Sequence, residues 1–97
     1  MARTIRFEWE RWNVQKNETK HGVSTLEAES AFHDPGYQLF ADGEHFTQTE
    51  KRYILYGRSV ENRVLMIGFT VRGPVVRVIT ARPASRKERK VCETAGS

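Results

Sequence analysis

A chain of 97 residues, 38% apolar and 10% aromatic, has room for one domain and enough hydrophobic material to give it a core, which excludes wholesale disorder. The formal net charge of +4 comes from 16 Lys/Arg against 12 Asp/Glu, and the longest apolar stretch, Val64 to Phe69, is far too short to cross a bilayer as a helix. A lone cysteine, Cys92, excludes an internal disulfide and a multi-cysteine zinc site; with a charged opening that lacks the apolar run of a signal peptide, the expectation is one cytoplasmic domain over residues 1–97.

Arg6-Phe7-Glu8-Trp9 alternates polar with aromatic residues and predicts a short half-buried strand. Residues 10–21 favour a helix with a thin apolar pattern. Lys20-His21-Gly22 reads as its end, with cations facing the negative end of the dipole and a glycine for a left-handed cap. Ser24-Thr25-Leu26-Glu27 is a capping-box pattern opening a second helix, which should bury Ala28, Ala31 and Phe32 and stop at Asp34-Pro35-Gly36. Strands are expected over 37–41, 52–58, 63–72 and 75–82, with a polar loop over 42–51. The last three form a meander joined by Ser59-Val60-Glu61-Asn62 and Gly73-Pro74. Ser85-Arg86-Lys87-Glu88 is a second capping box starting a basic C-terminal helix, and residues 92–97 should fray. The predicted fold class is α+β: an N-terminal strand and two helices packed on a four-stranded antiparallel sheet, with a basic helix at the end.

Side-chain parity divides the meander into two faces. A two-residue turn at Gly73-Pro74 sets Thr70 opposite Arg77 and Arg72 opposite Val75, all on one face, which also receives Tyr53, Leu55, Val64, Met66 and Ile79. The other face carries Ile54, Tyr56, Leu65, Ile67, Phe69, Val76 and Val78, with Arg58 and Arg82 at its ends. The second set is more continuously apolar, so the helices should cover it and leave the first partly open. A one-residue slip would scramble this division.

The charge is unevenly spread. Residues 1–50 hold five Lys/Arg against nine Asp/Glu, and residues 51–97 hold eleven against three; eleven of the sixteen basic residues are arginine, whose planar fork grips phosphate. A basic half points to a polyanionic partner, RNA or DNA, with an acidic protein as the alternative. No phosphate-binding glycine loop, HExxH, GxSxG or paired-cysteine motif is present, and His21, His33 and His45 are not at metal-ligand spacing. Cutting RNA without a metal needs a base for the 2′-hydroxyl, cations to hold the pentacovalent phosphate and an acid for the leaving 5′-oxygen. Arg72 and Arg77 on one sheet face could clamp that phosphate, with Arg58 and Arg82 near strand ends holding the backbone on either side. Thr70 and Tyr53 fall on the Arg72/Arg77 face and join the candidate RNA contacts. The bland reading, arginines flanking strands for solubility and edge protection, stays open. Lys20 and His21 are candidates for proton transfer or phosphate positioning, although a helix C-terminus explains both; that position favours the charged imidazole, which suits an acid. Trp9 and Trp12 could stack bases or pack in the core. No glutamate or histidine is placed well enough to be named the base.

Taken in order, Phe7-Glu8-Trp9-Glu10, Asn17, Lys20-His21-Gly22-Val23, Phe32-His33-Asp34-Pro35, Glu44-His45, residues 53–59, Phe69-Thr70-Val71-Arg72-Gly73 and residues 77–89 resemble the BrnT toxins over almost the whole chain. The resemblance implies a RelE-like fold and the toxin of a type II toxin–antitoxin system. It further implies a metal-independent, cofactor-free endoribonuclease that slows translation. Its expected partners are RNA, a cognate BrnA-type antitoxin and, only through the toxin–antitoxin complex, operator DNA; no membrane is implied. The family's basic motifs fall on Lys20, His21, Arg58, Arg72, Arg77 and Arg82. Two positions depart: Asn13 stands where the family commonly has lysine, and Glu10 where aspartate is usual. The rival reading is a non-enzymatic basic binding module, a decayed toxin that docks an antitoxin or nucleic acid, and Asn13 is the feature favouring it.

Overall fold

The computed structural model describes residues 6–43 and 51–90; His45, Cys92 and the 92–97 tail lie outside them. The order is β1 (Arg6–Trp9), α1 (Arg11–His21), α2 (Thr25–Ala31), β2 (Gln38–Ala41), β3 (Lys51–Arg58), β4 (Val64–Arg72) and β5 (Val75–Pro83), with residues 86–90 helical. The helix punctuation works as the residues suggest. Gly22 adopts φ 66°, and the Gly22 and Val23 N–H groups return to the Glu18 and Asn17 carbonyls, closing α1. The Ser24 hydroxyl accepts from the Glu27 N–H at 3.1 Å to open α2. Ser85 and Glu88 form both halves of a capping box, the Glu88 N–H donating to Ser85 Oγ at 3.1 Å and the Ser85 N–H to Glu88 Oε1 at 2.8 Å.

All five strands join one mixed sheet in the order β1-β5-β4-β3-β2. This corrects the four-stranded antiparallel expectation. The strands β5-β4-β3-β2 are antiparallel neighbours, but β1, instead of packing on that sheet, extends it by pairing parallel to β5 from Arg6↔Val75 to Trp9↔Val78. Because β1 reaches only to Val78, the far end of β5 lies beyond its pairing. There α1 supplies a partner, Asn17 Oδ1 accepting from the Ala81 N–H at 3.2 Å.

Two local features also correct the predicted faces. Arg58 pairs with Val64, and the Ser59 N–H donates to the Arg63 carbonyl, so the β3–β4 connection is 59–63, with Asn62 at φ 63°. That is one residue longer than counted from sequence, and it exchanges the two faces of β3. Tyr53 and Leu55 therefore stand with Phe69 and Ile67 on the covered face, while Ile54, Tyr56 and Arg58 stand with Gly68, Met66 and Val64 on the other. In β5 the register Thr70↔Arg77 and Phe69↔Val78 holds as expected. A bulge then leaves Ile79 extra and pairs Gly68 with Thr80, which brings Arg82 opposite Met66 on the open face.

The core lies between the helices and the covered face. Val23, Ala28, Ala31, Leu55, Leu65, Ile67, Phe69, Val76, Val78 and Ala81 are buried there, with Phe7, Trp9, Phe32, Tyr53 and Val71 packed around them. Phe32 bridges Phe7 and Phe69 edge-to-face, 5.1 Å to each, and Tyr53 stacks on Phe69 at 5.8 Å. The Trp9 indole donates to Glu29 Oε2 at 2.7 Å, tying β1 to α2. Gly57 marks the closest approach of β3 to α2, because a Cβ there would collide with the Ala31 carbonyl oxygen. Among the described residues no helix is long and apolar enough to cross a membrane.

Candidate functional site

The sheet face turned away from the helices carries the arginines, and the strand register arranges them in rows. Glu8 on β1, Arg77 on β5, Thr70 on β4 and Arg52 on β3 are successive partners across four strands. With strands ~4.8 Å apart, that row is roughly 14 Å long, about two nucleotide repeats. Arg72 sits one row out, opposite Val75. Arg77 donates to Glu8 Oε2 at 3.3 Å and lies 3.8 Å from Glu10 Oε1. Glu8, Glu10, Thr70, Arg72, Arg77 and Ile79 line a cleft of about 240 Å³ at this end of the face.

A second cluster occupies the opposite end. Met66 on β4 is the common neighbour of Tyr56 on β3 and Arg82 on β5. Arg82 forms a two-pronged pair with Glu88 at 2.8 and 2.9 Å, and the Tyr56 hydroxyl donates to the same carboxylate at 3.2 Å. The Arg82 guanidinium holds the Glu88 carboxyl down to about 2, with the capping bond from Ser85 adding to the effect. Beside this pair, Arg58, Tyr56, Asn62, Arg63 and Arg89 help line a larger cleft of about 440 Å³. The Arg58 side chain reaches the Asn62 carbonyl at 3.2 Å, and its backbone N–H donates to Asp34 Oδ2 at 2.8 Å, which fixes the end of β3 against the turn after α2. Arg63, on the lining of that cleft, is anchored beneath it: its guanidinium grips buried Glu27 through two 2.6 Å bonds and reaches the Gly22 carbonyl at 2.8 Å, and Ser59 Oγ donates to Glu27 at 2.7 Å. The Arg63 and Ser59 bonds outweigh burial and hold the Glu27 carboxyl below its usual range.

The residues chosen from sequence therefore separate. Arg72, Arg77 and Thr70 come together in one cleft, with Thr70 buried and both arginines exposed. Arg58 and Arg82 lie at the other end of the same face, where the longer loop and the bulge put them. Tyr53 does not join either group: it faces the helices and packs on Phe69. Lys20 and His21 close α1 and line neither cleft. The expectation of a favoured imidazolium is also corrected. Burial, then the cations Lys20, Lys16 and Arg82, lower the His21 pKa from its ordinary 6.5, which favours the neutral ring. Sequence reasoning passed over Glu8, Glu10, Arg52 and Tyr56. The alternation Arg6-Phe7-Glu8-Trp9 already put Glu8 on the face opposite the aromatics; what it lacked was the knowledge that β1 lies beside β5. Asn13 is buried and lines neither cleft.

The family model described as "Ribonuclease toxin, BrnT, of type II toxin-antitoxin system" matches residues 9–88. Among solved structures, the chain is similar to the 1.1 Å crystal structure of the Brucella abortus ribonuclease toxin, BrnT, at a TM-score of 0.62 and 23% identity, covering 86% of this chain and 100% of that one. No curated protein matches significantly in sequence.

Proposed function

From the premise that this chain belongs to the BrnT family of ribonuclease toxins of type II toxin–antitoxin systems, we propose that it is a metal-independent endoribonuclease whose working surface is the open face of the sheet. One observation carries the reading: Arg72, Arg77, Arg58 and Arg82 stand on that single face, beside clefts, while the helices cover the other. In this reading Arg72 and Arg77 clamp the phosphate under attack, and Thr70 lies between them and the core as the floor of the cleft. Arg82 holds the strand roughly 16 Å further along, five residues of extended chain from Arg77 at ~3.3 Å each, and Arg58, opposite Val64, holds it two residues beyond the Arg82 row. Two arginines close to one phosphate oppose the extra negative charge of the pentacovalent state, which a metal would otherwise do. Lys20 and His21 act at most from the periphery, through the field they add near Arg82.

The same reading makes the frame RelE-like and the protein cytoplasmic. It makes translation the process inhibited, a BrnA-type antitoxin the neutralising partner, and operator DNA a ligand of the toxin–antitoxin complex. Asn13, the feature that favours the alternative of a decayed, purely binding module, is buried and lines neither cleft. The cellular test is induced expression of wild type, Arg72→Ala/Arg77→Ala and Arg58→Ala with pulse-labelling of protein synthesis. Arrest by the wild type, relieved by the double variant at equal protein level, is expected. Arrest undiminished in the double variant would overturn the site.

A further inference from the structure

Resting on that ribonuclease reading, we infer that Glu8 is the general base that deprotonates the attacking 2′-hydroxyl. The cleft that holds Arg72 and Arg77 contains two carboxylates, Glu8 and Glu10, and no histidine among its lining residues. Glu8 is the better placed of the two. It lies on β1 directly opposite Arg77 in the β1–β5 register, so its position relative to the phosphate clamp is set by backbone pairing. Its carboxylate is 3.3 Å from the Arg77 guanidinium, against 3.8 Å for Glu10, which precedes α1 at the strand–helix junction. Glu8 remains about half exposed, at 47%, so one oxygen can meet a substrate hydroxyl while the other stays on Arg77. A carboxylate beside an arginine has the chemistry the first step lacks: the arginine draws in the phosphate, and the base then stands within one side chain of the adjacent 2′-oxygen.

The step balances without a further reactant. Glu8 takes the 2′-hydroxyl proton as the 2′-oxygen bonds to phosphorus. The bond from phosphorus to the 5′-oxygen breaks, and solvent water protonates the leaving 5′-oxygen at this open cleft. The products are a 2′,3′-cyclic phosphate and a 5′-hydroxyl, and Glu8 returns its proton to water. Glu10 is a second anchor for Arg77.

The test uses the full chain and a defined messenger RNA, with Glu8→Gln and Glu10→Gln compared with wild type across pH 4–8, and a 2′-O-methyl RNA of the same sequence as an uncleavable binding probe. Glutamine keeps an acceptor for Arg77, so a purely structural role of Glu8 predicts little change. The general-base role predicts cleavage slowed by ~100-fold or more at pH 7, loss of the acidic limb of the rate profile, and binding of the 2′-O-methyl RNA within about threefold of wild type. Cleavage by Glu8→Gln within a few-fold of wild type, or a rate loss confined to Glu10→Gln, overturns the assignment while leaving the ribonuclease standing. A wild type that leaves the RNA intact overturns the ribonuclease reading itself, and this one with it.

Discussion

Among the described residues Arg63 is the one basic side chain hydrogen-bonded to Glu27, a carboxylate that is 4% exposed, and replacing it by alanine removes that partner. Among the described residues Glu27 then keeps one side-chain donor, Ser59 Oγ at 2.7 Å, and the Arg63 bonds from the β3–β4 turn to α2 and to the Gly22 carbonyl are lost. Breaking a buried pair from one side costs ~3–5 kcal/mol. The Arg63 side chain is 38% exposed, so water enters where it stood, and the expected loss is reduced to about 2–3 kcal/mol. In a domain of this size that lowers Tm by roughly 10–20 °C. The loss should also depend on pH. In the wild type the Glu27 carboxyl titrates below its ordinary 4.5, so its stabilising contribution is complete above that value and disappears as pH falls through the lower, folded-state value. In Arg63→Ala burial remains without the arginine and raises the same group, so acidification relieves the variant. Urea unfolding of both proteins at pH 7 and pH 4 is the assay, and the gap between them should narrow on going to pH 4. A loss under about 1 kcal/mol, or a gap unchanged between the two pH values, would refute the clamp.

Three further outcomes follow from other parts of the molecule. Gly57→Ala drives a methyl group into the Ala31 carbonyl, a backbone atom that cannot step aside, and should lower stability by about 3 kcal/mol in a thermal melt. Glu88→Gln removes the partner of Arg82 and weakens the capping box. With the folded carboxyl at about 2 against an ordinary 4.5, the wild type should be more stable by roughly 2 kcal/mol at pH 7, an advantage that fades as pH falls from 4.5 towards 2. His21 should titrate below 6.5 by NMR, and Lys20→Gln should move it back upward; a midpoint above 6.5 would contradict the cationic surroundings described.

What the residues disclosed, and what they withheld, follows physical lines. Local signals were sufficient wherever one side chain or one turn decides the backbone: the Gly22 cap, the Ser24 start of α2, the Ser85/Glu88 box and the Gly73-Pro74 hairpin with its Thr70↔Arg77 pairing. Long-range choices were not legible. Nothing in Arg6–Trp9 says that this strand lies parallel to β5, since its partner is some seventy residues away. Parity failed at two points where a single residue changes the count, the Asn62 turn and the Ile79 bulge. The bulge worked in favour of the site, because it carries Arg82 onto the face that Arg72 and Arg77 already occupy. Glu27 was legible as a helix-start residue, but its charge is spent on Arg63, which no spacing rule connects to it. Tyr53 was misplaced for the same reason that Tyr56 was overlooked: a one-residue slip exchanges them.

The measurement that bears most directly on the account is cleavage of a defined messenger RNA by the purified chain, with and without EDTA, beside the folded Arg72→Ala/Arg77→Ala variant. The arginine-face account predicts cutting that persists in EDTA and disappears in the double variant, with products ending in a cyclic phosphate. Cutting that EDTA abolishes, or that the double variant performs as well as the wild type, would contradict it.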